Sequence, residues 1–410
     1  MLIKNTTICD KRGQKRSDVR LEDGRIKKIS SMIEPKKNER IIDGEGLFLL
    51  PGIIDIGASI GEGVSDIYKA LKKVSTDAVK GGATTVLIQP DTPINTEIGL
   101  DYFFSKSKEL SLCSLSPVAS ATENNALEKL NNLAIIFKNG AIGAYIRSDA
   151  NSNILKRSME YTKMYSKPLF VTCANSHLDK GALIHDGAVS FRLGLGGFSV
   201  VSETSEMAKV VDIASFVGSK LLVSGVSSEK AVSNAAVYKK NYPNIFFDVS
   251  VHHLCLTDEA CVGYNSYAKN YPPLREERDQ KALVDAIKNS VIDVISSGHI
   301  PVSRLTKDLS FEDAAFGIES LGVMFSILYT RLVQSGEVSM ERVSELTSFN
   351  PSAILGFENK GLIKEGYDAD LFLFDPLKHS DVGEFSPYKN IVLTGAVTHT
   401  FKAGELIYEL

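Results

Sequence analysis

Eight short apolar runs, most of them separated by amphipathic helical patterns, constrain this chain more than any other feature. They are PGIIDIGA (51–58), ATTVLIQP (83–90), LSPVASA (115–121), GAIGAYIRSD (140–149), KPLFVTCA (167–174), SKLLVSGV (219–226), NIFFDVSV (244–251) and VIDVISSGH (291–299). Between them lie segments such as IYKALKKVSTDAVKGG, SETSEMAKVVDIASFVG and DQKALVDAIKNS. Near-continuous apolar strands alternating with helices indicate a parallel sheet buried on both faces. Eight such units in about 250 residues match the size of a closed (β/α)8 barrel of the TIM type. An open doubly wound sheet would share the alternation, but no G-x-G-x-x-G follows any of these runs.

Both chain ends have a different character. VRLEDGRIKKIS alternates in the β manner around an Asp23-Gly24 turn, and DADLFLFDP, NIVLTG and VTHTFKAGELIYEL do the same. We expect residues 1–50 and 360–410 to pair into one small composite β-sandwich, with 51–359 forming the barrel. Helices over EVSMERVSELTS and NPSAILG (337–356) would close the barrel before the chain returns.

Bulk composition narrows the function class. With 43% apolar and 23% charged residues and a net charge of −4, the 410-residue chain reads as a soluble globular protein. That charge favours neither nucleic acid nor an anionic membrane as partner. The basic stretch Lys11 to Arg20 reads as an exposed hairpin turn. Cys9, Cys113, Cys173, Cys255 and Cys261 show no CxxC spacing, which fits a reducing cytosol. MLIKNTTICDKRGQ has no apolar signal core, and no apolar run is long enough to span a bilayer. A cytoplasmic location is the expectation.

Several segments carry a resemblance. PGIIDI opens the first unit, and GGATTVLIQPDTP is similar to G-[VA]-T-T-V-x-x-M-P-N-T-x-P. LGLGGFSVVSE, VHHLCLTDE, YPPLREERDQKALVDAI and IDVISSGHIP are similar to LGL-x-G-x-P-x-x-AE, PHHL-x-L, NPPLR-x-x-x-D and ID-x-I-x-TDHAP. Together, from about Asp43 to the C-terminus, the chain resembles dihydroorotases of the amidohydrolase superfamily. The PPLR and LGLGG segments favour that family over the hydantoinases.

The resemblance implies zinc-dependent hydrolysis, with one or two ions making hydroxide and polarising an amide carbonyl. A strand-eight Asp would shuttle the proton. Position by position, those groups are replaced. The strand-one His pair is Gly57 and Ser59, and the strand-five and strand-six His are Thr172 and Gly225. The catalytic Asp is Gly298, with His299 beside it. The Arg that neutralises the substrate carboxylate is Gly61, and the Asn of MPNT is Asp91, a change opposed to anion binding. Asp149 stands against a bridging carboxylate after strand four, with that register left open.

Three readings follow. In the first, a non-catalytic dihydroorotase-like protein of pyrimidine biosynthesis, with no metal cofactor, serves as a structural or regulatory subunit. Aspartate carbamoyltransferase or an active dihydroorotase would be its partner, and it would be a homo-oligomer. In the second, Asp149, His252 and His299, with Cys173 as an alternative ligand, gather a zinc ion for an active cyclic amidohydrolase. In the third, the emptied barrel mouth binds a metabolite as a sensor. His252 and His253 otherwise read as packing histidines.

Overall fold

A computed structural model describes residues 1–410. The eight apolar runs form eight parallel strands: Ile53–Ala58, Ala83–Ile88, Ser114–Ser120, Gly143–Arg147, Leu169–Thr172, Leu221–Ser224, Ile245–Ser250 and Val294–Ser296. Each pairs with the next in chain order, and the eighth lies beside the first. The result is the α/β barrel expected from the sequence.

Period-two alternation explains its core. Ile56, Leu87, Val118, Phe170, Leu222 and Val294 face inward, joined by Ile354 from the helix Asn350–Leu355. Their strand neighbours, such as Val86, Ile88, Val171 and Val223, belong to the larger core shared with the helices. The helix Ile67–Lys80 shows how those helices are specified. The Asp66 side chain caps it by accepting from the Lys69 N–H, and Leu71, Val74 and Ala78 form its buried stripe.

The chain ends meet in one eight-stranded sheet. Leu2–Asp10, Gly13–Glu22, Arg25–Ser30, Ile41–Asp43 and Phe48–Pro51 join Leu371–Ser380, Leu393–Lys402 and Glu405–Glu409. Phe48–Pro51 is the link, pairing parallel to the first strand and antiparallel to Leu371–Ser380. Alternation again divides the side chains. Leu371 and Leu373 enter a small core with Ile3, Val19 and Phe401, while Phe372 and Phe374 pack on Phe325 in the barrel core.

Two local readings need refinement. The chain turns helical at Val251–Cys255 immediately after the seventh strand, so His252 and His253 lie on a helical turn. The Ser250 hydroxyl bonded to His253 Nδ1 at 2.8 Å holds that turn. In the basic stretch, a tight turn does link the first two strands, yet Lys11 stacks over Phe349 and Arg12 binds Asp10 and the Ile363 carbonyl. Both residues remain exposed on the turn, as expected, while making these contacts.

Candidate functional site

The C-terminal ends of the strands, where barrel enzymes place their chemistry, are closed by small residues and backbone contacts. A Cβ at Gly57 would lie 2.7 Å from both Cβ and Oγ of Ser296. A Cβ at Gly298 would lie 2.7 Å from Ser250 Cβ and 3.1 Å from the His252 ring, and its φ is +58°. Gly225, at φ +72°, has Pro272 within 3.1 Å of the same point. Larger side chains at these positions require neighbouring atoms to move.

Ser59 is buried and committed to the backbone: its N–H donates to the His299 carbonyl and its hydroxyl accepts from the Gly61 N–H. Gly61 has φ +93°, and its carbonyl accepts from Thr92. Burial raises the Asp91 carboxyl, opposed by a hydrogen bond from Ser59, while Glu62 adds repulsion. The buried Thr172 hydroxyl meets Tyr145. None of Gly57, Ser59, Gly61, Thr172, Gly225 and Gly298 offers imidazole, thiolate or carboxylate, so this donor set does not fit zinc.

The fallback ligands are not gathered. Asp149 is paired with Arg147 at 2.9 Å. His252 takes the Tyr388 hydroxyl on Nδ1 at 2.9 Å, with Gly298 backbone near its ring. Nδ1 of His299 accepts from the Ser320 and Leu321 N–H groups at 3.1 and 3.3 Å, which fixes the ring proton on Nε2. Burial lowers both His252 and His299 to about 3, with neighbouring charges contributing, so both are neutral. Cys173 is a buried thiol raised by burial.

The ligand-type groups that do converge are different ones. His185, Glu276 and Asp279 bring ligand atoms within 4.8 Å of one another at the barrel rim. However, Arg275 donates to His185 Nδ1 at 2.9 Å, so the neutral ring carries its proton on Nε2, facing the carboxylates. A metal-binding nitrogen needs the opposite tautomer. Burial, reinforced by Arg275, lowers His185 to about 4. We read the cluster as part of a buried polar clamp. Arg275 also bonds Ser227 and the Phe198 carbonyl, and lies 3.7 Å from Glu203, which accepts from Ser227 and Ser228. The LGLGG and PPLR segments are thereby tied across the barrel rim.

Sequence reasoning missed two carboxylates. Asp55 on the first barrel strand and Asp248 on the seventh are buried, beside Ser297 and Ser296 respectively. Burial lifts Asp248 to about 7, opposed by a Ser296 hydrogen bond and reinforced by Asp55. Asp55 stands in the PGIIDI segment, and that position was the available signal. The cavity lined by Cys173, Phe198, Tyr271 and Arg275 has a volume of about 10 Å³, no larger than a water site.

The architecture is a closed parallel (β/α)8 barrel carrying a composite sheet built from both chain ends. A match to the amidohydrolase family spans residues 48–407. The chain is 30% identical to a dihydroorotase of Thermoanaerobacter sp. (strain X514), covering 100% of this chain and 97% of that protein. It is 32% identical to a dihydroorotase of Carboxydothermus hydrogenoformans, covering 100% and 98%. The fold matches a D-hydantoinase at TM-score 0.86 and the L-hydantoinase (dihydropyrimidinase) of Arthrobacter aurescens at 0.88, each at 20% identity over 100% of this chain and 95% or 96% of the other. The chain belongs to the amidohydrolase family.

Proposed function

We propose that this chain is a dihydroorotase-like protein of pyrimidine biosynthesis in which the metal-dependent reaction has been lost and the folded body is kept as a structural or regulatory subunit. Its relatives of 30% and 32% identity, named dihydroorotase, support the pyrimidine assignment. One observation carries the loss of catalysis. Gly57, Ser59, Thr172, Gly225 and Gly298 stand at the strand ends without a ligand atom among their side chains that suits zinc, and Ser296, Ser250 and Pro272 crowd the space a larger residue would need. A metal hydroxide then has no holder, and the proton-shuttling carboxylate is absent with it.

A fold can persist for its surfaces after its site decays. The partner we propose is aspartate carbamoyltransferase, with an active dihydroorotase as the other choice, and self-association of the chain accompanies either. The reading places the protein in the cytoplasm, in keeping with five free buried cysteines and the lack of any helix long and apolar enough to cross a membrane.

Co-elution tests the partnership. The full chain mixed with aspartate carbamoyltransferase from the same source is expected to run as one assembly on size-exclusion chromatography with light scattering. Separate elution at micromolar concentrations, with either candidate enzyme, would remove the subunit role.

A further inference from the structure

A cavity lies beside the end of strand eight, toward the composite sheet. A groove of about 680 Å³ runs between the barrel and the composite sheet, reaching from the helix Ile67–Lys80 and the segment after strand eight to residues 379–387 and 396–397. That volume lies within the range of small-molecule sites, which favour junctions between structural units.

Its wall contains a polar group with no partner. His299 is 1% exposed and lines the groove, and its Nε2 makes no hydrogen bond. Because Nδ1 already accepts two backbone N–H groups, Nε2 is a fixed N–H donor awaiting an acceptor. Lys307, also buried in this wall, gives two of its three protons to the Ser266 and Lys269 carbonyls, leaving one free. Arg304 lies over the Phe385 ring at 4.2 Å and pairs through Nε with Asp308 at 2.8 Å, which also accepts from the Tyr267 hydroxyl, so only its terminal nitrogens remain to be used; Phe385 stacks on Tyr267 at 5.4 Å. Lys80 adds a further cation at the opposite end, where Lys73 binds both Asp77 and Glu319 and so offsets the acidic groups. Asp381 is an exposed carboxylate at the rim.

We propose that this groove binds a small organic anion with a flat, aromatic body: the ring lies along Phe385 and Tyr267, and the acidic group meets His299 Nε2–H, Lys307 and Arg304. Donors in a partly dry groove suit a carboxylate, sulfonate or phosphate, and stacked rings suit a planar body. The groove adjoins the end of strand eight through His299, next to Gly298, but its use does not depend on whether the barrel has lost its reaction.

Naphthalenesulfonate is the probe, titrated calorimetrically into the full chain. Saturable binding of one probe per chain is expected, with naphthol, its uncharged relative, weaker by about tenfold or more. Arg304→Gln and Phe385→Ala alter exposed or half-exposed side chains and should each weaken binding by a similar factor while leaving the thermal midpoint unchanged. Phe191→Ser, at an exposed apolar side chain of the barrel rim, should leave binding as it was. No saturable binding, equal binding of naphthol, or affinity insensitive to both groove variants would each overturn the proposal.

Discussion

Asp55 and Ser297 close the barrel. The eight strands are paired in sequence from the first to the eighth, and no strand ladder joins those two. Across that seam the Asp55 carboxylate accepts the Ser297 N–H at 2.8 Å and the Ser297 hydroxyl at 2.6 Å. The Ser59 N–H to His299 carbonyl bond continues the join. Asp55 is buried, and burial raises its carboxyl against these hydrogen bonds. Ser297→Ala should therefore cost about 1–3 kcal/mol, since it strips an acceptor bond from a buried carboxylate. Urea unfolding measures it; an unchanged midpoint would mean the seam is held by something else.

Gly57 and Ser296 form the second testable contact. Gly57→Ala is expected to destabilise by about 1–3 kcal/mol through overpacking, because the new methyl meets Ser296 at 2.7 Å. Adding Ser296→Gly should recover a substantial part of that loss. A double-mutant cycle with no coupling would show that the strand end is not crowded as described.

Asp248 gives a pH dependence of defined sign. Its folded value of about 7 exceeds the ordinary 3.8, so the folded state holds a proton that the unfolded chain releases. Its contribution is full below about 3.8 and is lost as pH rises through about 7. Asp248→Asn should remove that decline, so the variant gains on the parent between about pH 4 and pH 7. The neutral buried imidazoles of His185, His252, His253 and His299 act oppositely, being lowered to about 3 or 4. Their contribution is present above about 6.5 and lost as pH falls through those values. Unfolding curves of parent and variant across this range isolate the Asp248 part; parallel curves would contradict it.

The Arg275–Glu203 pair predicts a contrast between two arginines. Both members are buried, and Arg275 also holds Ser227, Phe198 and His185. Arg275→Met should cost about 3–5 kcal/mol by leaving Glu203 buried without its cation. Arg192 pairs with Glu259 at the exposed surface, and Arg192→Ala should change stability by less than about 1 kcal/mol. Thermal unfolding of the two variants tests the difference, and equal losses would contradict it.

The barrel was legible in the sequence because strands buried on both faces write continuous apolar runs. All eight strands fall within or against the runs read from it, and the Asp23-Gly24 turn has the positive φ values its residue types suggest. The replaced strand-end positions were legible for a simpler reason: Gly, Ser and Thr are poor zinc ligands wherever the backbone puts them. Long-range pairings were not legible. Nothing in the spacing of Tyr388 and His252, 136 residues apart, announces their hydrogen bond. The crowding around the strand-end glycines was not legible either, because Ser250, Ser296 and Pro272 come into contact range of them from distant segments. Orientation also escaped the sequence, since which nitrogen of His185 faces the carboxylates depends on Arg275, 90 residues away.

The most direct test of the lost metal site is zinc content by mass spectrometry on full-length protein purified without chelators, with dihydroorotate turnover measured on the same sample. The account predicts substoichiometric zinc and no turnover above a protein-free control. About one zinc or more per chain together with turnover abolished by a chelator and restored by zinc would contradict it.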